Sequence, residues 1–336
     1  MKRVMVEKIG SVAVVDAPEP SVEPGWALVR TIYAGICGSD THAVAGHHPL
    51  LPPPYAPGHE AVGVVVDGDP ALAGRRVALK PNIACGTCVP CRAGRSNACE
   101  TLRWIGCDSS GRLQGAMAER FVAPSGNLYP VPDDVSDEQA ALVECFATPV
   151  HAARIAGDLT GRNVVILGSG TIGALELLAV RDAGAGRVVV TDLEESKRAR
   201  ALRLGAHAAV DAGSATFADD IEGALGGKAD FIFDCVAMEV SAKQWLGIVH
   251  HSGTICVVGV PNASYPVPMP WVQDWELKIQ GCANYNEIDF QRALTLGNQI
   301  PADEIVTSIL PLSEGAQAFA TASANTSGKI LVTGEL

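Results

Sequence analysis

Residues 163–192 read NVVILGSGTIGALELLAVRDAGAGRVVVTD. The run Val164–Leu167 is wholly apolar, the pattern of a strand buried on both faces. It ends in Gly168-Ser169-Gly170-Thr171-Ile172-Gly173, a G-x-G-x-x-G spacing, and a helix-like stretch follows. A second apolar strand, RVVVTD, closes on Asp192. The glycine spacing alone is weak. Between a strand and a helix, with an acid ending the next strand, it is specific for a dinucleotide. Gly168 makes the tight turn, Gly170 lets the backbone approach a pyrophosphate, and Gly173 allows close helix–strand packing. Thr171 and Ile172 open the helix, whose free N–H groups and positive dipole end suit phosphates. Asp192 can accept hydrogen bonds from the adenosine ribose hydroxyls and would repel a 2′-phosphate, so NAD is expected over NADP. Lys197 is a further candidate ribose contact, with a solvated helix charge as the alternative.

Outward from this motif the strand–helix alternation continues. Strands AAV and DFIFDC, a helix through Lys243–His250 and strand GTICVVGV extend it to about residue 285. Continuous apolar strands separated by helices predict a doubly wound parallel sheet, a Rossmann domain of an α/β protein. Upstream, WALVRTIYAGI, AVGVVVDG and RRVALK are strand-like runs broken by Gly and Pro, which predict an irregular β domain up to about residue 148. Ser136 with Gln139 forms a capping-box pattern opening a helix through Ala140–Glu144. Downstream lie helical stretches near Phe290–Leu296 and Glu314–Ala322, then a strand KILVTG expected to rejoin the first domain. A chain of 336 residues suits two cores.

The net charge is −12 and no basic run stands out, which argues against nucleic-acid binding. The opening twenty residues hold no long apolar stretch, so neither a signal peptide nor a membrane span is expected there. Ten cysteines in a chain this long need not be disulfide staples, and a reducing, cytoplasmic setting is expected. Four of them, Cys85, Cys88, Cys91 and Cys99, follow C-x2-C-x2-C-x7-C. That spacing fits a closed, structural tetrahedral zinc site better than free thiols or an iron–sulfur cluster. Two other segments carry metal-type residues: Cys37, Ser39, Asp40 and His42 in GICGSDTH, and His59 and Glu60 in PGHE. Taken singly, each has an ordinary structural reading. Cys37 can be a small buried hydrophobe, His59 a satisfied core histidine, and Glu60 the partner of an arginine.

Together GICGSD, PGHE, the four-cysteine lobe, ECFATPVHA, the glycine-rich turn with Asp192 and the closing GKILV run in one order over essentially the whole chain. The chain resembles the zinc-dependent medium-chain alcohol and polyol dehydrogenases, of the sorbitol and threonine dehydrogenase type. The resemblance implies a GroES-like β-rich catalytic domain over residues 1–148 and 286–336, with a structural zinc lobe at about 85–99. It implies an NAD-binding Rossmann domain over residues 149–285. By the resemblance, Cys37 and His59 bind a catalytic zinc, making two zinc ions per chain with the structural one. Glu144 stands at the third ligand position, with Cys145 its rival. Glu60 is implied as a ligand or a close partner exchanging with water, and Asp40 as the carboxylate that orients the ligand histidine.

Such a zinc keeps one position open for the substrate hydroxyl and eases its deprotonation, as it lowers the pKa of water from about 16 to about 7. Hydride then passes to nicotinamide. Ser39 and His42 are the implied proton relay, with a turn hydroxyl and a surface histidine as alternatives. Family analogy favours a secondary alcohol within a polyol, sugar or amino alcohol, acted on as a small molecule by a homodimer or homotetramer. A reductase of the same family and a non-catalytic nicotinamide binder are the competing functions. The set Cys37, His59 and Glu144 discriminates, because a binder has no use for it. Candidate pocket residues lie in HAVAGHHPLLPPPY, at Thr148 and at Asn284–Tyr285; His47 and His48 are read as a solvated loop, with contact to substrate hydroxyls as the alternative. Cys107, Cys145, Cys235, Cys256 and Cys282 carry no expected role beyond packing.

Overall fold

The computed structural model describes residues 1–48, 51–261, 263–324 and 328–335. Two residues of the proposed pocket segment, Pro49 and Leu50, lie outside them. The chain divides into two compact units, Met1–Cys145 with Asn286–Leu336, and Phe146–Tyr285.

The first unit is built on a seven-stranded sheet. Trp26–Gly35 is its hub, pairing antiparallel with Glu60–Asp67, with Arg120–Pro124 and with the closing strand Lys329–Thr333. Arg76–Leu79 and Leu128–Pro130 extend the sheet on one side, and Val306–Leu310 extends it on the other. Val29, Val65, Ile105, Met117 and Phe121 are almost wholly buried in one core. The register sets Gly35 opposite both Glu60 and Leu331, so the hub strand brings together residues from the two ends of the chain. Gly35 has to be glycine. A Cβ there would lie 2.2 Å from the Glu60 carboxylate.

The second unit is a six-stranded, all-parallel sheet. Its order is Ala208–Asp211, Val188–Asp192, Val164–Leu167, Ala229–Asp234, Val249–Val257, Lys278–Gly281. In chain order this is 3-2-1-4-5-6, the doubly wound arrangement that binds dinucleotides where the order reverses. All four residues of Val164–Leu167 are buried, as helices on both faces require. The sequence pattern missed three elements: the helix Phe217–Leu225, the short helix Met269–Asp274 and the outer strand Lys278–Gly281. No helix among the described residues is long and apolar enough to cross a membrane.

Candidate metal centres and cofactor turn

Cys37 and His59 occupy corresponding places in the first unit, each just outside a regular element. Cys37 is the N-cap of the helix Gly38–Val44. His59 immediately precedes the strand Glu60–Asp67. One ligand atom each of Cys37, His59 and Glu60 lies within 4.8 Å of the other two. Glu144 is buried on the helix Asp137–Ala156 and does not belong to that cluster. Cys145, its rival, is buried and donates its thiol to the Leu142 carbonyl at 3.2 Å, one turn back on the same helix.

Glu60 is wholly buried, and its two carboxylate oxygens accept from Lys329 Nζ at 2.7 and 2.6 Å. Lys329 also donates to the Ile36 carbonyl at 3.1 Å. Burial works against the ammonium charge, but Glu60 outweighs it and raises the Lys329 pKa. Nothing in the sequence around Lys329 marks it for this role. Its place in GKILV carried no chemical signal, because its partner lies 269 positions away.

His59 is 4% exposed, and the Trp104 ring meets it edge-on at 5.8 Å. Its Nδ1 lies 3.3 Å from the Cys107 sulfur and 3.9 Å from Asp40 Oδ2. Burial alone would lower the imidazole pKa, yet Cys107 and Asp40 hold it well above the ordinary histidine value. Asp40 is also wholly buried; Oδ1 accepts the Tyr55 hydroxyl and Oδ2 the Cys37 amide, each at 3.2 Å. Cys107, assigned above to packing, sits instead against a candidate ligand, and Asp40, His59 and Cys107 form a second group with ligand atoms within 4.8 Å. Ser39 is half-buried and His42 exposed, three positions apart on one helix and hence on one face.

The four sulfurs of Cys85, Cys88, Cys91 and Cys99 lie within 4.8 Å of one another. Gly86 and Gly94 take φ of 73°, which lets the chain knuckle around them. The amides of Thr87 and Cys88 both point at the Cys85 sulfur at 3.4 Å, which pulls that thiol down to about 5. A thiolate prepared in this way suits zinc.

In the second unit Gly170 caps the helix Thr171–Asp182, and a Cβ on it would meet nothing within 4 Å, leaving room for a pyrophosphate. Gly168 turns at φ 88°, and a Cβ on Gly173 would lie 1.9 Å from the Gly168 carbonyl oxygen. Thr171 and Ile172 begin the helix as expected from the motif. Asp192 Oδ2 accepts the Ser169 amide at 2.8 Å and Oδ1 the Glu194 amide at 3.0 Å, so the acid also braces the turn. Lys197 is buried and bonds Glu194 at 2.8 Å. Of the suggested pocket residues in this unit, Asn284 has φ 55° and Tyr285 is wholly buried.

Residues 23–133 match the alcohol dehydrogenase GroES-like domain family, and residues 171–299 match the zinc-binding dehydrogenase family. An L-threonine 3-dehydrogenase from Shewanella woodyi is 30% identical, the alignment covering 95% of each chain. The sorbitol dehydrogenase of Ovis aries is 29% identical over 96% of this chain and 93% of its own. Among solved structures, a zinc-binding dehydrogenase from Sinorhizobium meliloti 1021 bound to NADP superposes with a TM-score of 0.90 at 30% identity, covering 99% of this chain and 98% of that one. With both domain families present in order and relatives matching end to end, this chain belongs to the zinc-dependent medium-chain alcohol and polyol dehydrogenases, oxidoreductases that use zinc and a nicotinamide cofactor.

Proposed function

We propose that this protein oxidises a secondary hydroxyl of a polyol, sugar or amino alcohol to the ketone, passing hydride to NAD and releasing one proton. The observation that carries the reading is the convergence of half-buried Cys37 with buried His59 and Glu60 on one point. Bound there, zinc supplies Lewis acidity at the substrate oxygen. Cys37 and His59 are the proposed ligands, completed by a carboxylate. Glu60 is the acid within reach in this geometry, and Glu144 is the proposed alternative from its place in ECFATPVH. Glu60 can contribute without leaving Lys329, since each of its oxygens carries a second lone pair. Ser39 and His42 are proposed to lead the released proton along one helix face to water. The exposed imidazole of His42 can accept and release a proton at its ring nitrogens, which suits the last step.

The four-cysteine lobe is proposed as the structural zinc site, giving two ions per chain. Gly168, Gly170, Thr171, Ile172 and Gly173 are proposed to cradle the pyrophosphate. Asp192 is proposed to select NAD, although the Sinorhizobium relative carries NADP. The polyol and amino-alcohol class rests on the names of the sorbitol and threonine relatives. A reducing, cytoplasmic setting is proposed from the cysteine-rich metal lobe, and assembly as a homodimer or homotetramer from the family.

A panel of polyols, sugars and amino alcohols, followed by NADH or NADPH absorbance, tests the reading. Activity is expected with NAD on at least one member. Removal of the more labile zinc should abolish it while NADH still binds. Full turnover by a zinc-free preparation would refute the proposal. Zinc analysis of Glu60→Gln and Glu144→Gln then separates the two acids, since the true ligand is the one whose loss lowers zinc from two towards one per chain.

A further inference from the structure

We propose that Cys107 and Tyr55 are positioning residues of the catalytic metal centre, with the Cys107 sulfur accepting a hydrogen bond from His59 Nδ1–H and Tyr55 fixing Asp40 behind it. The inference rests on His59 being a zinc ligand and goes beyond the orienting carboxylate that the family implies.

The distances decide which neighbour holds the ring. The Cys107 sulfur is 3.3 Å from His59 Nδ1, inside the range for a bond to sulfur. Asp40 Oδ2 is 3.9 Å away, too far for a direct hydrogen bond, and already accepts the Cys37 amide at 3.2 Å. The carboxylate therefore sits behind the contact instead of making it. Its other oxygen accepts the Tyr55 hydroxyl, and Tyr55 is 1% exposed, so this donor has no rival in water. With the proton of the neutral imidazole directed from Nδ1 to sulfur, Nε2 keeps its lone pair for a metal.

The backbone is built to hold this contact. Gly106 turns at φ 82°, and a Cβ on it would lie 2.8 Å from the Gly58 carbonyl carbon and 2.9 Å from the His59 nitrogen. Gly58 itself takes φ 111°. Two glycines thus let the pair Gly106-Cys107 lie directly on Gly58-His59. The Gly106 amide is tied to the Leu113 carbonyl at 2.9 Å and the Cys107 amide to the Trp104 carbonyl at 3.3 Å, which fixes the thiol's approach.

The partner that holds a ligand histidine governs metal retention, and its loss typically weakens binding about 10–100-fold. The experiment measures the rate of zinc transfer to a chromogenic chelator, with zinc counted by native mass spectrometry and NADH binding followed as the check on folding. Cys107→Ala is expected to lose one zinc at least about tenfold faster than the wild type, with the second zinc and NADH binding unchanged. Cys107→Ser, which keeps an acceptor, should stay within about threefold, and Tyr55→Phe should also accelerate the loss. Should Cys107→Ala fail to fold, Cys107→Val preserves the volume without the acceptor and carries the same expectation. Wild-type zinc retention in a folded Cys107→Ala or Cys107→Val chain overturns the proposal. So does a wild-type chain that takes up three zinc ions, which would place a metal among Asp40, His59 and Cys107. His59→Ala keeps the two readings apart. If that variant still holds two zincs, the ligand assignment itself fails, whatever Cys107 does.

Discussion

Glu176 lies wholly buried on the helix that follows the glycine-rich turn, and among the described residues neither of its carboxylate oxygens has a hydrogen-bond partner. An ionised carboxylate is not sustained in such a place. Burial lifts its pKa well above the ordinary glutamate value, and the neighbouring Cys282 adds to the shift. The unfolded chain releases this proton near pH ~4.3, whereas the folded chain keeps it to higher pH. Stability is therefore greatest below that pH and falls as pH rises towards the folded pKa, because the folded state binds the extra proton. Denaturation midpoints of the wild type and Glu176→Met, compared at pH 5 and pH 8, read this directly. The variant should gain more at pH 8 than at pH 5, with a difference of about 1 kcal/mol or more. Parallel pH profiles would mean that Glu176 finds a partner in solution. Glu60, equally buried, has both carboxylate oxygens bonded by Lys329. Cys37 and His59 were legible because each sits in a short segment dense in ligand-type residues. Lys329 and Cys107 were not, since their partners lie far away in sequence and a lone Lys or Cys has an ordinary structural reading; Tyr55 was marked only as the end of a pocket segment, with no sign of its bond to Asp40.

At the scale of elements, the strand–turn–helix around Gly168–Gly173 was readable because it needs only local chemistry. The Ser136 box was readable for the same reason: Gln139 N donates to Ser136 Oγ at 3.2 Å and Ser136 N donates to Gln139 Oε1 at 2.9 Å. The extent of that helix was not. It runs Asp137–Ala156 through Pro149, although proline removes a donor and usually ends a helix. Burial of Ala147, Val150, Ala152 and Ala153 along the same stretch overrides the local cost. The helix Gly38–Val44 was hidden in the same way, its glycine and two hydroxyl residues being weak helix formers. The turn itself yields a sharp prediction. With the Gly168 carbonyl oxygen 1.9 Å from any Cβ at position 173, Gly173→Ala must push helix from strand. Overpacking of this kind costs about 1–3 kcal/mol. The displaced helix N-terminus should weaken NADH binding by about tenfold or more in fluorescence titrations, while both zincs stay bound. Unchanged NADH affinity would show that the turn does not carry the cofactor.

At the scale of the whole molecule, the change of texture near residue 148 signalled a second fold, because a parallel sheet with both faces covered needs apolar strands that an irregular β domain does not. The outer strand of that sheet was invisible. Lys278–Gly281 reads KIQG, too short and too polar to announce itself, and it is a strand because Thr254–Val257 supplies its ladder. Its far side has no partner strand among the described residues. An unpaired row of N–H and C=O groups is a ready template for a second chain. Ile279 on this strand is exposed, as are Met269 and Trp271 in the preceding helix, so apolar side chains flank an open edge. One edge pairing with its own copy is a two-fold, self-complementary contact, the geometry of a closed dimer. The wild type is therefore expected to sediment as a dimer or a tetramer built from such dimers. Ile279→Lys adds a positive charge to this edge strand, and like charges brought together by pairing of two such edges are destabilising. The variant should shift to smaller species at micromolar concentration while retaining two zincs and NADH binding, because neither site uses Ile279. If it sediments as the wild type does, the copies meet elsewhere and the open edge must be covered by some other means.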